Sequence, residues 1–347
     1  MPLNEADTRA KLIDPAIHTS GWTEDHIKRE VSAGSIEIIE GKAHRRAKGR
    51  IDYTLRIRVT AESQPVAVAL IEAKAERLPP GHGLEQAKAY AICKRINVPF
   101  VFSSNGHQFV EYDFFTGVTS SPRPLTEFPS PDDLRIRYEN GKGFSLDSPA
   151  ARPLLIPYTG GEGARRYYQD AAIRAVLEKI ARCEITGEPK RALLSLATGA
   201  GKTFIAVNLL KKIADAGNMR RALFVCDRDE LRTQGLTAMQ KLFGSDSAAA
   251  AGNDPVKNAR VVVATYQTLD VDSDEADANF LIQHYPENYF SHIVIDECHR
   301  SAWGKWSQVL TRNPGAVQIG LTATPREFPT ADTTEGVRDE QITADNV

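Results

Sequence analysis

The sequence predicts an α/β chain of two domains, the second built on a parallel sheet with helices on both faces. Three observations lead there. The 347 residues exceed one ordinary α/β core and suit two. A stretch from Ser120 to Gly163 is dense in Pro and Gly, carrying Pro122, Pro124, Pro129, Pro131, Pro149, Pro153 and Pro157. Such density disfavours long helices and central strands, so it reads as a connection. Beyond it, apolar runs at 192–197, 222–227, 260–266, 292–296 and 317–323 alternate with helical patterns such as 202–214 and 229–243. Strand–helix alternation implies right-handed crossovers and a parallel sheet. The expected division is 1–140, a linker over 141–163, a second domain over 164–330 and a polar tail over 331–347.

Composition removes several classes. At 41% hydrophobic and 25% charged, wholesale disorder is excluded. No apolar run is long enough to span a bilayer, and the polar, acidic start lacks a signal core. Cys93, Cys183, Cys226 and Cys298 stand too far apart for a Cys-x-x-Cys metal pair, and a cytoplasmic setting with no membrane partner is expected. A net charge of −2 leaves any nucleic-acid contact to local patches.

In the first domain, residues 4–17 read as a helix with Leu12 and Ile13 on its apolar side. Residues 51–59 alternate apolar and polar, the period of a half-buried strand. Residues 66–73 are apolar on both faces and read as a central strand. A helical pattern over 84–95 follows, then a hairpin whose turn is Asn105-Gly106.

Carboxylates mark these strands. Asp52 lies on the polar face of the first, and Glu72 and Lys74, two apart, share one face of the next. Two carboxylates on adjacent strands can grip a divalent cation, with a lysine beside them to meet a crowded phosphate. Downstream, Gln86 and Tyr90 fall at i,i+4 on one helix face. The basic residues Lys42, Arg45, Arg46, Lys48 and Arg50 precede Asp52, where phosphate contacts or plain solvation both fit. Asp…Glu-x-Lys followed by Gln-x-x-x-Tyr resembles the RecB-like branch of metal-dependent nucleases, with Ile51 where many relatives have proline. That resemblance implies a PD-(D/E)xK-type nuclease domain.

In the second domain, the strand ending at Ala197 runs into Thr198-Gly199-Ala200-Gly201-Lys202-Thr203 and then a helix. Strand, glycine turn and helix start gather backbone N–H groups and the positive end of a helix dipole around one anion. Lys202 would reach terminal phosphates and Thr203 would hold Mg²⁺; Leu196 replaces the first glycine of the usual pattern. A later strand delivers Asp296-Glu297-Cys298-His299 at its C-terminal end, with Asp296 suited to Mg²⁺ and Glu297 to polarising water.

These segments, with Gly320-Leu321-Thr322-Ala323-Thr324-Pro325, occur in the order seen in superfamily-two helicases, whose fold is RecA-like. Residues 227–234 and 265–269 resemble that group's DNA-contacting segments. Arg166-Tyr167-Tyr168-Gln169 resembles its adenine-reading segment, which implies that Gln169 binds the base of ATP.

Taken together, the chain resembles the N-terminal part of the restriction (R) subunit of type I restriction enzymes. Asn4-Glu5-Ala6-Asp7-Thr8-Arg9, Gly21-Trp22, Ile71-Glu72-Ala73-Lys74, Glu111-Tyr112-Asp113-Phe114 and Phe128-Pro129-Ser130-Pro131 carry the likeness in the first domain. The resemblance implies Mg²⁺-dependent cleavage of double-stranded DNA coupled to ATP-driven translocation, with methyltransferase and specificity subunits as partners. It implies metal contacts from Asp52, Glu72 and the Ala73 carbonyl, and a helix glutamate that is Glu5 or its rival Glu30. R subunits continue into a second RecA-like domain, so a truncated chain with weak ATP hydrolysis of its own is expected. A stand-alone repair or phage-defence nuclease-helicase, or an inactive DNA- or nucleotide-binding fragment, is the alternative.

Overall fold

The computed structural model describes residues 1–32, 36–39, 42–45, 50–92, 96–161, 166–252, 254–269, 280–298 and 308–323. The fold is mixed α/β, in two compact units. One is built from residues 1–148 with the start of helix Tyr167–Thr186, the other from residues 149–161 and the described residues from Ala172 onward. Within the expected 141–163 linker, residues 141–148 fall in the first unit and residues 149–161 in the second. The expected tail over 331–347 lies outside the described residues.

Among the described residues, the first unit holds nine strands: β1 (Ile27–Ser32), β2 (Ile36–Ile39), β3 (Lys42–Arg45), β4 (Arg50–Ile57), β5 (Val66–Ala73), β6 (Phe100–Ser104), β7 (Gln108–Asp113), β8 (Val118–Thr119) and β9 (Arg123–Pro124). They form a sheet in the order β1-β4-β5-β6-β7-β8, with β9 also on β7 and β2-β3 as a separate pair. Among these described strands only β5 and β6 run parallel; every other neighbouring pair is antiparallel. A parallel pair needs a crossover. Helix Leu84–Ile92 lies within it, burying Leu84, Ala87 and Ala91 with Leu70, Val101 and Val110.

Strand β4 differs from the half-buried strand its alternation predicts. Residues 51–55 are buried without interruption, on both faces of the strand, while β1 and β5 pair along its two edges. β1 leaves no apolar run in the sequence, because Lys28, Arg29 and Glu30 interrupt it.

The N-terminal helix is also less regular than expected. It is α-helical over Glu5–Thr8 and Asp14–Thr19 and opens into a π-turn over Arg9–Ile13, where the Asp14 N–H donates to the Arg9 carbonyl. Pro15 has no N–H to offer four residues back, which favours this wider turn. The helix lies against the hairpin turn at Gly106, where φ is +90° and a Cβ would lie 2.7 Å from Leu12 Cδ1.

The Pro-rich stretch does form a helix of twelve residues, Pro131–Lys142. Pro131 sits in its first turn, where no N–H is needed, and Ser130 and Asp133 form a capping box.

The second unit contains β10 (Arg191–Ser195), β11 (Ala222–Cys226), β12 (Ser247–Ala249), β13 (Val261–Thr265), β14 (His292–Asp296) and β15 (Val317–Thr322). All are parallel, in the order β10-β15-β14-β11-β13-β12. Five match the expected runs; β12 is a three-residue edge too short to leave a pattern. Strands β11, β13 and β14 are wholly buried, as unbroken apolar runs require. Helices Lys202–Asp215 and Asp229–Phe243 match the expected helical patterns. At Gly235 a Cβ would lie 2.9 Å from Phe224 Cε1, so that glycine permits the close helix–strand contact. No described helix is long and apolar enough to cross a membrane.

Candidate functional site

The polar residues singled out in the first unit come together. Tyr53 pairs with Ile71 across β4 and β5, which sets Asp52 beside Glu72. Asp52 Oδ2 accepts the Ala73 N–H at 2.7 Å. The Lys74 ammonium donates to Glu72 Oε1 at 2.7 Å and to Gln86 Oε1 at 3.2 Å, and Gln86 Nε2 donates to Tyr90 Oη at 3.0 Å. The line Glu72–Lys74–Gln86–Tyr90 is thus hydrogen-bonded from strand to helix. Asp52, Glu72 and Lys74 are all buried.

Burial dominates the electrostatics. It pushes the Glu72 carboxyl up to about 7, against the opposing hydrogen bond from Lys74. It also raises Asp52, against the Ala73 N–H and the Arg9 charge. Glu72 Oε2 is buried and has no hydrogen-bond partner. A buried, unpartnered carboxylate oxygen is costly unless something positive meets it. Among the described residues, no set of three or more His, Cys, Asp or Glu side chains could share one ion. Two carboxylates and a carbonyl fit Mg²⁺, which retains several waters.

Three residues near this cluster were not read from the sequence as its parts. Arg9, in the π-turn, donates to Asp52 Oδ1 at 2.9 Å. Gly83 packs so closely that a Cβ would lie 2.6 Å from Lys74 Cε and 2.8 Å from Glu72 Cγ. Its N–H donates to Ser103 Oγ at 3.1 Å. The available signal for Arg9 was its place in the Asn4–Arg9 segment; nothing in the sequence pointed to Gly83 or Ser103. Of the rival glutamates, Glu5 raises both Asp52 and Glu72 by its charge. Glu30 instead lies 3.7 Å from Arg9 and 3.1 Å from Arg50. The side chains of the other basic residues ahead of Asp52 lie outside the described ones.

In the second unit, β10 leads through Leu196–Gly201 into helix Lys202–Asp215. Leu196 still belongs to the ladder, its N–H donating to the Thr322 carbonyl at 2.9 Å. Gly199 and Gly201 take φ of +78° and +86°. These two positions need glycine's freedom. Gly201 is the helix N-cap, and no side chain caps it, which leaves the turn open to an anion. Thr198 is exposed, Ala200 half-buried and Thr203 half-buried in the first helical turn.

Lys202 Nζ donates to Glu297 Oε1 at 2.8 Å. Glu297 follows β14 with a left-handed φ of +53°, a strained conformation for a residue with a Cβ. Asp296, buried at the end of that strand, accepts the Glu297 N–H at 3.1 Å, and burial raises its carboxyl above the usual range. His299, Thr324 and Pro325 lie outside the described residues. Gln169 is buried at the start of helix Tyr167–Thr186, where its Oε1 accepts the Arg166 N–H at 3.1 Å.

The two segments that resemble DNA contacts share one cavity of about 540 Å³, lined by Asp229, Arg232, Thr265, Gln267 and Thr268 with Gln283. Arg232 lies 3.2 Å from the Asp229 carboxylate.

Residues 162–327 match the family described as type III restriction enzyme, res subunit. The chain is 32% identical to the EcoAI endonuclease subunit of a type I restriction enzyme from Escherichia coli, over 96% of this chain and 40% of that relative. It is 23% identical to the EcoKI endonuclease subunit from Escherichia coli strain K12, over 86% of this chain and 29% of the relative. A solved fragment described as an HsdR subunit of a type I restriction enzyme from Vibrio vulnificus YJ016 has a TM-score of 0.70 and 31% identity. That match covers 94% of this chain and 56% of the fragment. The chain therefore spans less than half the length of these curated relatives.

Proposed function

From its homology to type I restriction enzyme endonuclease subunits, we propose that this chain is the DNA-cutting and ATP-using part of such a subunit. The first unit is a PD-(D/E)xK-type nuclease of the RecB-like kind, and the second is a RecA-like motor domain. The observation that carries the reading is the hydrogen-bonded line from Glu72 through Lys74 and Gln86 to Tyr90 beside Asp52.

In the nuclease, Asp52, Glu72 and the Ala73 carbonyl would hold Mg²⁺, and the unpartnered Glu72 Oε2 suits that role. Bound there, the ion supplies Lewis acidity toward the scissile phosphate and makes water easier to deprotonate. Lys74 sets a positive charge beside the phosphate, and Gln86, steadied by Tyr90, fixes where that ammonium points.

In the motor, the turn from Thr198 to Gly201 cradles the phosphates of ATP through its backbone, and Lys202 reaches them. Thr203 and Asp296 would hold the nucleotide's Mg²⁺; Glu297 orients water and Gln169 binds adenine. The cavity along Arg232 and Thr268 follows the DNA backbone. The substrate is double-stranded DNA, and the partners are methyltransferase and specificity subunits.

The test is a pair of variants assembled with those subunits. Asp52→Ala should abolish cleavage and keep ATP turnover, whereas Lys202→Ala should abolish both. Normal cleavage by Asp52→Ala would overturn the assignment of the nuclease site.

A further inference from the structure

The Asp52 carboxylate has one oxygen on the Ala73 N–H and the other on the Arg9 guanidinium. A cation seated on Asp52 Oδ1 must compete with Arg9. We propose that Arg9 is a positioning residue that exchanges with the divalent cation at Asp52, using Glu30 as its second seat. The proposal rests on the metal-nuclease reading of the first unit.

Three features support the exchange. Arg9 already bridges two carboxylates, with one guanidinium nitrogen 2.9 Å from Asp52 Oδ1 and the other 3.7 Å from Glu30 Oε1. The pairing of Arg29 with Tyr53 and Val31 with Ile51 sets Glu30 across from Asp52, so a small swing of the guanidinium moves charge between them. Glu30 adopts a left-handed φ of +56° within a strand, which is costly for a residue with a Cβ and points to a functional constraint on that position. Arg50 takes the other Glu30 oxygen at 3.1 Å, so Glu30 is already committed to arginines.

The π-turn contributes as well. It interrupts the regular helix at Arg9 itself, between Thr8 and the Asp14–Thr19 segment. An inserted π-turn shifts the angular position of the residues it contains, and such turns recur at functional sites. Here it carries the residue that reaches the strand carboxylates.

Exchange and simple bracing predict opposite signs. If Arg9 merely braced the site, removing it would loosen Asp52 and weaken cation binding. If Arg9 competes for Asp52, removing it strengthens binding. A neighbouring opposite charge alters a carboxylate's proton affinity by one to three pKa units, so about tenfold is the expected scale.

The measurement is calorimetric titration of the full chain with Mn²⁺ alone, taking as signal the binding that Asp52→Ala removes. Arg9→Gln should bind Mn²⁺ about tenfold more tightly than the parent. Arg9→Lys keeps the charge and should stay close to the parent. Glu30→Gln removes the second seat, holds Arg9 on Asp52 and should weaken binding; the double variant should match Arg9→Gln. Equal or weaker binding by Arg9→Gln, or unchanged binding by Glu30→Gln, overturns the exchange. Identical titrations of the parent and Asp52→Ala would instead remove the metal-nuclease reading, and the exchange with it.

Discussion

Lys202 and Glu297, 95 positions apart in sequence, meet at 2.8 Å between the start of helix Lys202–Asp215 and the end of β14. On the proposed nucleotide reading, a phosphate arriving at the 198–201 turn must draw the Lys202 ammonium from a carboxylate. Glu297→Gln leaves Lys202 with a weaker partner. Nucleotide binding should tighten several-fold while ATP hydrolysis falls about 10²-fold or more, as expected when a water-orienting group is lost. Fluorescent-nucleotide titration beside an ATPase assay checks both directions; unchanged hydrolysis would remove Glu297 from the reaction.

Gly83 offers a test of how tightly the cluster of Asp52, Glu72 and Lys74 is built. Gly83→Ala would place a methyl group 2.6 Å from Lys74 Cε and 2.8 Å from Glu72 Cγ, so the lysine must move. Overpacking of this kind costs about 1–3 kcal/mol. DNA cleavage by the assembled enzyme should drop at least about tenfold while ATP turnover persists, because a small misplacement of a reacting group is expensive. Full cleavage activity would show that Lys74 tolerates displacement.

His292 sets a pH limit on the second unit. Burial in β14 lowers its imidazole from 6.5 to about 4, so the folded state holds it neutral where the unfolded chain takes up a proton. The resulting stability is fully present above pH 6.5 and is lost as pH falls through 4, by about 3 kcal/mol in all. Protection factors of the β14 amides, taken relative to the intrinsic exchange rate at each pH, should fall between pH 7 and pH 5. His292→Gln should flatten that dependence; an equally steep variant would place its origin elsewhere.

Gly106 ties the N-terminal helix to the β6–β7 turn. Gly106→Ala combines a disfavoured backbone at φ +90° with clashes against Leu12 and Thr8. A loss of about 2 kcal/mol or more from the first unit is expected, read as a lower urea midpoint. Cleavage should fall in parallel, since the same helix carries Arg9 to Asp52.

The second unit was the more legible in sequence. Its buried parallel strands need unbroken apolar runs, so 222–227, 260–266 and 292–296 announced themselves, whereas β12, three residues long, left no pattern. The turn over 198–201 was legible for a related reason: it is contiguous backbone, and two glycines at positive φ mark it. In the first unit, charged residues hid β1, and the density of prolines hid a helix that Ser130 and Pro131 in fact start.

The sequence by itself determined which groups are available: the residue types and spacing of Glu72-x-Lys74 and Gln86-x-x-x-Tyr90, and the strand–turn–helix that presents Lys202. Tertiary structure decided what each of them faces. Asp52 meets Arg9 because a π-turn redirects a helix 43 positions upstream, and Lys74 fits only because Gly83 offers no side chain. Glu72 and His292 titrate abnormally because both are buried. Periodicity and turn chemistry are local and can be read along the chain. Desolvation and close approach depend on which distant segments are folded against a residue, and no local pattern specifies them.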